Sequence, residues 1–505
     1  MMNVKLSIVL SASSHVTRLR DTIITCRILQ PFEIILLTNG PQAALNAEAA
    51  SSGCKIYSFE SGNHENRLPS GFRVSGDVIL HIDAGMTLEP VLLRRLAEQV
   101  VYGRADTVFL EEPWHKEGAY PSPLVSFACL LNSLLGRPDL QGCSFYSSVF
   151  ALTRKAADLA GQDLWLNPAG AMVKLIRSGL RIERMASPPN MNRGICFRPE
   201  LLRAPAHELS SYERQLAGRY LSAFAQSAVK PRGGFTDGNR RRDLVQQVIS
   251  GQRKPALQGK ENLRRSSLYG GKQLSVIIPA LNEEQYLPSL LRELNGLEPA
   301  EIIVVVNGSS DRTAQRALQE GARVIEFAEK LGTDCGRAIG AFYAKGDILL
   351  FVDGDIPFTA AEMFRFPTAI AQGYDLALND QNDLFHGGGV INPVASAVYS
   401  LNMSLGRKDL GVSSMTFVPF AISRKGLQTI GFEGLQCPPR ALAASLIHGL
   451  KPVLADRVQL EKRNRLRPEK HFAGTGLTPA ASQIVGDHIE ALLYLNSKGV
   501  NRSAL

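Results

Sequence analysis

The sequence predicts an α/β protein built from two tandem, similar Rossmann-like units, each a mostly parallel, twisted sheet covered by helices. Three observations predict it. A segment recurs at a nearly constant offset, short apolar runs alternate with helical stretches, and polar clusters stand directly after the apolar runs.

The chain repeats itself at a long period. Leu131–Leu140 (LNSLLGRPDL) and Leu401–Leu410 (LNMSLGRKDL) agree at seven of ten positions, 270 residues apart. The same offset lays GDVILHIDAGM, from Gly76, on GDILLFVDGDI, from Gly346. Nearer the start of each copy the offset is 268, pairing LSIVL at Leu6 with LSVII at Leu274 and EIILLTNG at Glu33 with EIIVVVNG at Glu301. Duplication followed by short loop changes gives this pattern, and it predicts domains over 1–229 and 273–505.

In the second copy, β-rich apolar runs at Leu274–Pro279, Ile302–Val306, Ala322–Phe327, Ile348–Val352 and Leu376–Leu378 predict strands. Helical stretches such as Glu284–Leu294, Asp311–Glu320 and Gly336–Ala344 fall between them. Short apolar strands separated by helices imply parallel pairing with both sheet faces covered. Ligands bind such sheets beyond the carboxyl ends of the strands.

Composition is that of a globular protein: 505 residues, 45% hydrophobic and 20% charged. The seven cysteines are scattered, with no CxxC pair, and read as reduced thiols of a cytoplasmic protein. The apolar run Leu6–Leu10 is too short for a signal-peptide core and suits a first strand. Gly387–Gly406 is uncharged but carries Pro393, Asn392, Asn402 and several serines, so a buried helix is expected there and no membrane span.

The net charge of +9 is concentrated. Between Lys230 and Lys272 stand eleven Lys/Arg against Asp237, Asp243 and Glu261, a local net of +8. The stretch reads as an exposed basic linker over 230–272, with one short helix near Leu244–Ile249. Such a patch suits peripheral contact with an anionic membrane face, in a salt-sensitive way. With only Phe235 and Tyr269 among the charges, no stacking platform for nucleic acid is expected.

The chemistry is expected after the strands of the second copy. The first ends in Pro279-Ala280-Leu281-Asn282-Glu283-Glu284, the second in Asn307-Gly308-Ser309-Ser310-Asp311, and the fourth in Asp353-Gly354-Asp355. Two carboxylates spaced i, i+2 at a strand end can meet one hard cation, directly or through water. Such a cation neutralises a diphosphate leaving group.

SVIIPALNEE, EIIVVVNGSSDRT and GDILLFVDGD, in this order, resemble the successive signatures of family-2-type glycosyltransferases with the GT-A fold. The resemblance covers about the first half of the second copy. It implies metal-dependent transfer of a sugar from a UDP- or GDP-linked donor to an acceptor. Asp353 and Asp355 would be catalytic and would hold Mn²⁺ or Mg²⁺, with Asp355 the direct ligand. Pro279, Ala280, Asn282, Glu283 and Asn307 would hold the nucleotide, joined by Asp334 and Arg337, where the family has a basic residue facing it. The neutral Asn307 departs from the family, which has Asp near Val306 or Asn307.

Inverting members carry a Glu-Asp pair as general base where this chain has Cys437-Pro438. Either another residue serves, or the chemistry is retaining and needs no such base, in which case His471 is a candidate extra metal ligand. Asp380, Asp383 and His386 are generic acceptor-side candidates within the polar, then glycine-rich loop Asn379–Gly389. His488 reads as structural.

In the first copy, Ser11, Ser14 and His15 replace Pro279, Asn282 and Glu283, and Gly85 replaces Asp355. Asp83, Asn39 and Arg67 persist opposite Asp353, Asn307 and Arg337. That copy is expected to keep the fold and lack the chemistry. The alternative reading is a non-catalytic pair that binds sugar nucleotide or serves as scaffold. A nucleotidyltransferase is disfavoured by PALNEE, which is no Gly- and Arg-bearing loop, and a dehydrogenase by the absence of GxGxxG.

Overall fold

The computed structural model describes residues 4–499 except 13–15, 17, 41, 60–67, 87, 112–122, 148, 188–208, 229, 231, 261–262, 264–266, 386–391, 461–462 and 464–476, and gives 39 and 385 by backbone alone. The first half contributes β1 (Leu6–Ala12), β2 (Glu33–Asn39), β3 (Lys55–Phe59), β4 (Val78–Asp83), β5 (Thr107–Leu110), β6 (Val149–Thr153) and β7 (Ile182–Met185). They form one sheet in the order β3-β2-β1-β4-β6-β5-β7.

The second half supplies β8 (Ala256–Gln258), β9 (Leu274–Ala280), β10 (Glu301–Asn307), β11 (Arg323–Phe327), β12 (Ile348–Phe351), β13 (Leu376–Asn379), β14 (Phe420–Ser423) and β15 (Pro452–Asp456). Their order, β8-β11-β10-β9-β12-β14-β13-β15, repeats that of the first sheet with β8 added at one edge. Pairing is mostly parallel, with β6 and β14 antiparallel to both neighbours in their sheets. The central strands are buried along their length, as the unbroken Val/Ile runs require.

The repeated polar residues turn out to be architecture. Ser7 Oγ donates to Glu33 at 2.7 Å and accepts from the Gly76 N–H at 2.7 Å. Ser275, Glu301 and Gly346 repeat both bonds at 2.8 Å. Glycine is required in both places, because a Cβ on Gly76 or Gly346 would stand 2.6 Å from Ser7 N or Ser275 Oγ. The LGRxDL repeat is equally local. Asn132 Nδ2 donates to the carbonyls of Gln141 and Cys143, Asn402 Nδ2 to those of Gly411 and Ser413, and Arg137 and Arg407 each pair with the aspartate two residues on.

The helices carrying these repeats, Pro123–Leu134 and Pro393–Ser404, pack on each other. With helices Ser211–Ser227 and Pro479–Ser497 they form the junction of the halves, through which one hydrophobic core is continuous. Lys408, where the first repeat has Pro138, reaches across to the buried Glu213 at 2.7 Å. The uncharged stretch before Gly406 is thus a buried helix from Pro393 on. Among the described residues no helix is long and apolar enough to cross a membrane.

Part of the basic segment, 232–249, is packed into the fold where an exposed linker over 230–272 was expected. Arg232 and Arg240 are buried, and helix Arg242–Ile249 buries Leu244, Val245 and Val248. β8 completes the second sheet by pairing with β11. A local charge count goes wrong here because the balancing acids are distant in sequence: Asp487 and Glu490 on the C-terminal helix, Asp334, and Glu329 beside Arg253.

Candidate active site

The loops after β9, β10 and β12 stand side by side, because β9 lies between β10 and β12 and is parallel to both. Their packing is close. A Cβ on Gly354 would meet the Ala280 Cβ and Pro279 carbonyl oxygen at 3.4 Å, and one on Gly336 would meet the Pro279 Cβ at 2.9 Å. Glycine at 336 therefore lets helix Cys335–Tyr343 press against the end of β9.

The first two loops are laced together. Asn282 has a left-handed backbone (φ 57°). Its side-chain oxygen accepts from the Ser310 N–H at 2.8 Å, and its own N–H donates to Ser309 Oγ at 3.0 Å. The N–H of the buried Glu283 donates to Thr313 Oγ1 at 2.8 Å, and that of Glu284 to Asp311 at 3.1 Å. Burial alone would raise the Asp311 carboxyl, but hydrogen bonds from Thr313 and from backbone N–H groups outweigh it and hold it below the ordinary range.

Asn307 has a physical reason to be an amide. Its Nδ2 donates to the Gly332 carbonyl at 3.1 Å, and its Oδ1 accepts from the Leu331 N–H. A carboxylate could not donate the first of these bonds. Both amide ends are built into the loop after β11.

Asp353 and Asp355 flank a turn and are partly buried. Asp353 takes Arg337 at 2.8 Å, and Arg337 also pairs with Asp334 at 2.8 Å. Arg337 is only 5% exposed and lies over the Phe420 ring. Burial opposes its charge, yet Asp353 and Asp334 outweigh burial and raise the guanidinium above its usual range. The buried Arg337 thus grips the partly buried strand-end aspartate. Asp334, left-handed at φ 62° as the cap of its helix, binds Arg240 through its other oxygen at 2.6 Å. Arg240 escaped the sequence reading because nothing local marks it within its basic run. A shared position beside Asp334 and Asp487 appears only in three dimensions.

Cys437, where the resemblance places an acid pair, is buried. Desolvation first, then Asp487 and Glu490, pushes its thiol well up, so it is no base at neutral pH. Those two carboxylates lie close to the Cys437 sulfur but are bonded to Arg232, Arg240 and Arg242. Asp380 and Asp383 share Arg457 at 2.8 and 3.1 Å, beside a cavity of about 100 Å³ that Gln381 and Gln459 also line. His488 is fully buried and bonded to the Ile484 carbonyl; burial lowers its pKa to about 4, so it is neutral and structural. His471 and His386 lie outside the described residues.

The same corner of the first half is built differently. Ser11 meets His81 Nε2 at 2.5 Å, and His81 stacks on Phe150 as Phe351 stacks on Phe420. Asp83 accepts from the Gly85 N–H at 3.0 Å, turning its carboxylate back on its own loop. Ser14, His15 and Arg67 lie outside the described residues, as does the Asn39 side chain.

Residues 275–378 match the family model described as Glycosyl transferase family 2. Over 92 residues the chain is 40% identical to a 4,4'-diaponeurosporenoate glycosyltransferase of Staphylococcus haemolyticus, covering 17% of this chain and 24% of that protein. It is 42% identical over 100 residues to a dolichyl-phosphate beta-glucosyltransferase of Drosophila melanogaster, covering 16% and 31%. It is 37% identical over 130 residues to an undecaprenyl-phosphate 4-deoxy-4-formamido-L-arabinose transferase of Pectobacterium carotovorum, covering 23% and 39%. The chain thus spans between 24% and 39% of the length of these relatives. A crystal structure of glucosyl-3-phosphoglycerate synthase from Mycobacterium tuberculosis, in complex with phosphoglyceric acid, is similar at 22% identity over 42% of this chain and 82% of that one, with a TM-score of 0.32. The three loops gathered at the ends of β9, β10 and β12 all lie inside the stretch that matches the glycosyl transferase family 2 model.

Proposed function

We propose that the second half transfers a sugar from a UDP- or GDP-linked donor to an acceptor, with a divalent cation, and that the first half does not catalyse. The observation that carries this reading is the convergence of Pro279–Glu284, Asn307–Thr313 and Asp353–Asp355 at adjacent strand ends, within the stretch that matches the family. The donor set fits Mn²⁺ or Mg²⁺: Asp353 and Asp355 offer hard carboxylate oxygens two residues apart, and no thiol or imidazole stands between them. A cation held there would supply charge neutralisation for a diphosphate. The chain's own part is orientation. Arg337 fixes Asp353, and the Asn282–Ser310 and Glu283–Thr313 bonds fix the loop that faces the nucleotide.

In the first half, Gly85 offers no carboxylate and Asp83 is turned onto the Gly85 N–H, which favours a scaffolding role for that copy. A thermal-shift screen of UDP-, GDP- and dTDP-sugars with and without Mn²⁺ tests the proposal. At least one diphosphate donor should raise the midpoint only when the cation is present. A chain indifferent to every donor with Mn²⁺ would leave the scaffold reading in its place.

Two of the similar relatives are named for polyprenyl phosphates, which supports peripheral contact with a membrane. With Arg232, Arg240, Arg242 and Arg253 paired to acids, such contact would rest on the exposed Lys230, Lys254 and Lys260. Co-sedimentation with anionic liposomes should fall with salt, and fall again when these three lysines are neutralised. Equal partitioning in all arms would dismiss it.

A further inference from the structure

We infer that Arg240, which precedes the family-matched stretch, is a positioning residue for the strand-end aspartate Asp353, an inference that rests on the transferase reading of Asp353 and Asp355. The geometry is a chain of alternating charge. Asp487 holds Arg240 through both carboxylate oxygens at 2.8 Å, Arg240 holds Asp334 at 2.6 Å, Asp334 holds Arg337 at 2.8 Å, and Arg337 holds Asp353 at 2.8 Å. The Arg240 side chain is fully buried, as nearly are those of Asp487, Asp334 and Arg337. Interactions in such surroundings are little screened by water.

Arg240 and Arg337 each bridge two carboxylates and Asp334 bridges two guanidinium groups, so removing one of these three redistributes the others. Without Arg240, Asp334 keeps only Arg337 as a cation among the described residues and draws it away from Asp353. Asp334 is also the left-handed cap of the helix that presents Arg337, a backbone state that must be held by its surroundings. The turn after β12 depends in its own way on Asp353, whose carbonyl accepts from the Ile356 N–H. Residues before and after the matched stretch therefore converge on the aspartate that the family motif supplies.

A purely structural role would be to fasten the 230–253 segment to the C-terminal helix. Arg232 does that without reaching Asp334, since it binds Asp487 at 2.5 Å and Glu490 at 3.2 Å. It is the natural control. Arg240→Lys keeps a buried positive charge, but a single ammonium cannot span Asp334 and Asp487 as the guanidinium fork does. Arg232→Lys makes the same exchange away from Asp334.

Hydrogen exchange of the full chain should show faster exchange over 333–338 and 352–357 in Arg240→Lys, and wild-type exchange there in Arg232→Lys. Calorimetry with Mn²⁺ alone should show affinity weakened about 10- to 100-fold by Arg240→Lys, the range for lost outer-shell support, and unchanged by Arg232→Lys. Wild-type exchange over 352–357 in Arg240→Lys overturns the inference, as does an equal effect of both variants. If exchange rises as expected but wild-type Mn²⁺ binding survives Asp355→Ala, the positioning stands and the cation reading of Asp355 falls.

Discussion

Replacing Asp355 by alanine is expected to abolish transfer while leaving the chain folded, whereas Asp83→Ala leaves transfer near wild type. Asp355 sits at a partly exposed strand end outside the hydrophobic core, so its removal opens no cavity. Its loss takes away one of two carboxylates available to a cation. Charge stabilisation of that kind is worth several kcal/mol, and about 4 kcal/mol would be roughly a thousandfold in rate. Among the described residues the Asp83 carboxylate in the first half holds only its own turn, through the Gly85 N–H, a bond worth about 1 kcal/mol. Initial rates with a working donor, beside thermal midpoints of both variants, check the pair. If Asp83→Ala damaged transfer as much as Asp355→Ala without unfolding, catalysis confined to the second half would be wrong.

The second large effect concerns where the functional unit begins. A fragment of residues 273–505 contains the matched stretch and every strand of the second sheet except β8, yet it is expected not to fold cooperatively. In it Asp487 loses Arg232 and Arg240, and Glu490 loses Arg232 and Arg242, while both carboxylates remain in buried surroundings. Breaking one buried pair costs about 3–5 kcal/mol, and whole domains are stable by only about 5–15 kcal/mol. A fragment starting at Lys230 restores the three arginines and β8, so it should regain much of that loss. Urea unfolding followed by circular dichroism compares the two. A cooperative transition of equal midpoint in both would mean that the arginine cluster is dispensable for stability.

What was legible in the sequence divides along physical lines. The predicted strands at Leu274–Pro279 and Ile302–Val306 became β9 and β10 almost to the residue, because continuous Val/Ile runs bounded by polar loops have few other solutions. The three-loop cluster followed from parallel order alone. The repeat LGRxDL was visible, but its reason was not: it directly follows each of the two helices that pack together where the halves join, a property of two distant segments meeting. β14 had no parallel-sheet signal to announce it and runs antiparallel between β12 and β13.

The burial of Arg232 and Arg240 in the basic segment was hidden for a related cause. Composition registers Arg232, Arg240 and Arg242 at once, while their partners Asp487 and Glu490 lie some 250 residues away in sequence. Arg337 shows the limit at the level of one side chain. Its position beside the site could be anticipated, but its burial between Asp334 and Asp353 depended on packing against Phe420 and the end of β9.

The most direct test of single-site catalysis by the second half is the stoichiometry of nucleotide binding. Calorimetric titration of the full chain with UDP or GDP in the presence of Mn²⁺ should give one site per chain, lost in Asp355→Ala and kept in Asp83→Ala. Two equivalent sites per chain, or one site lost in Asp83→Ala and kept in Asp355→Ala, would contradict it.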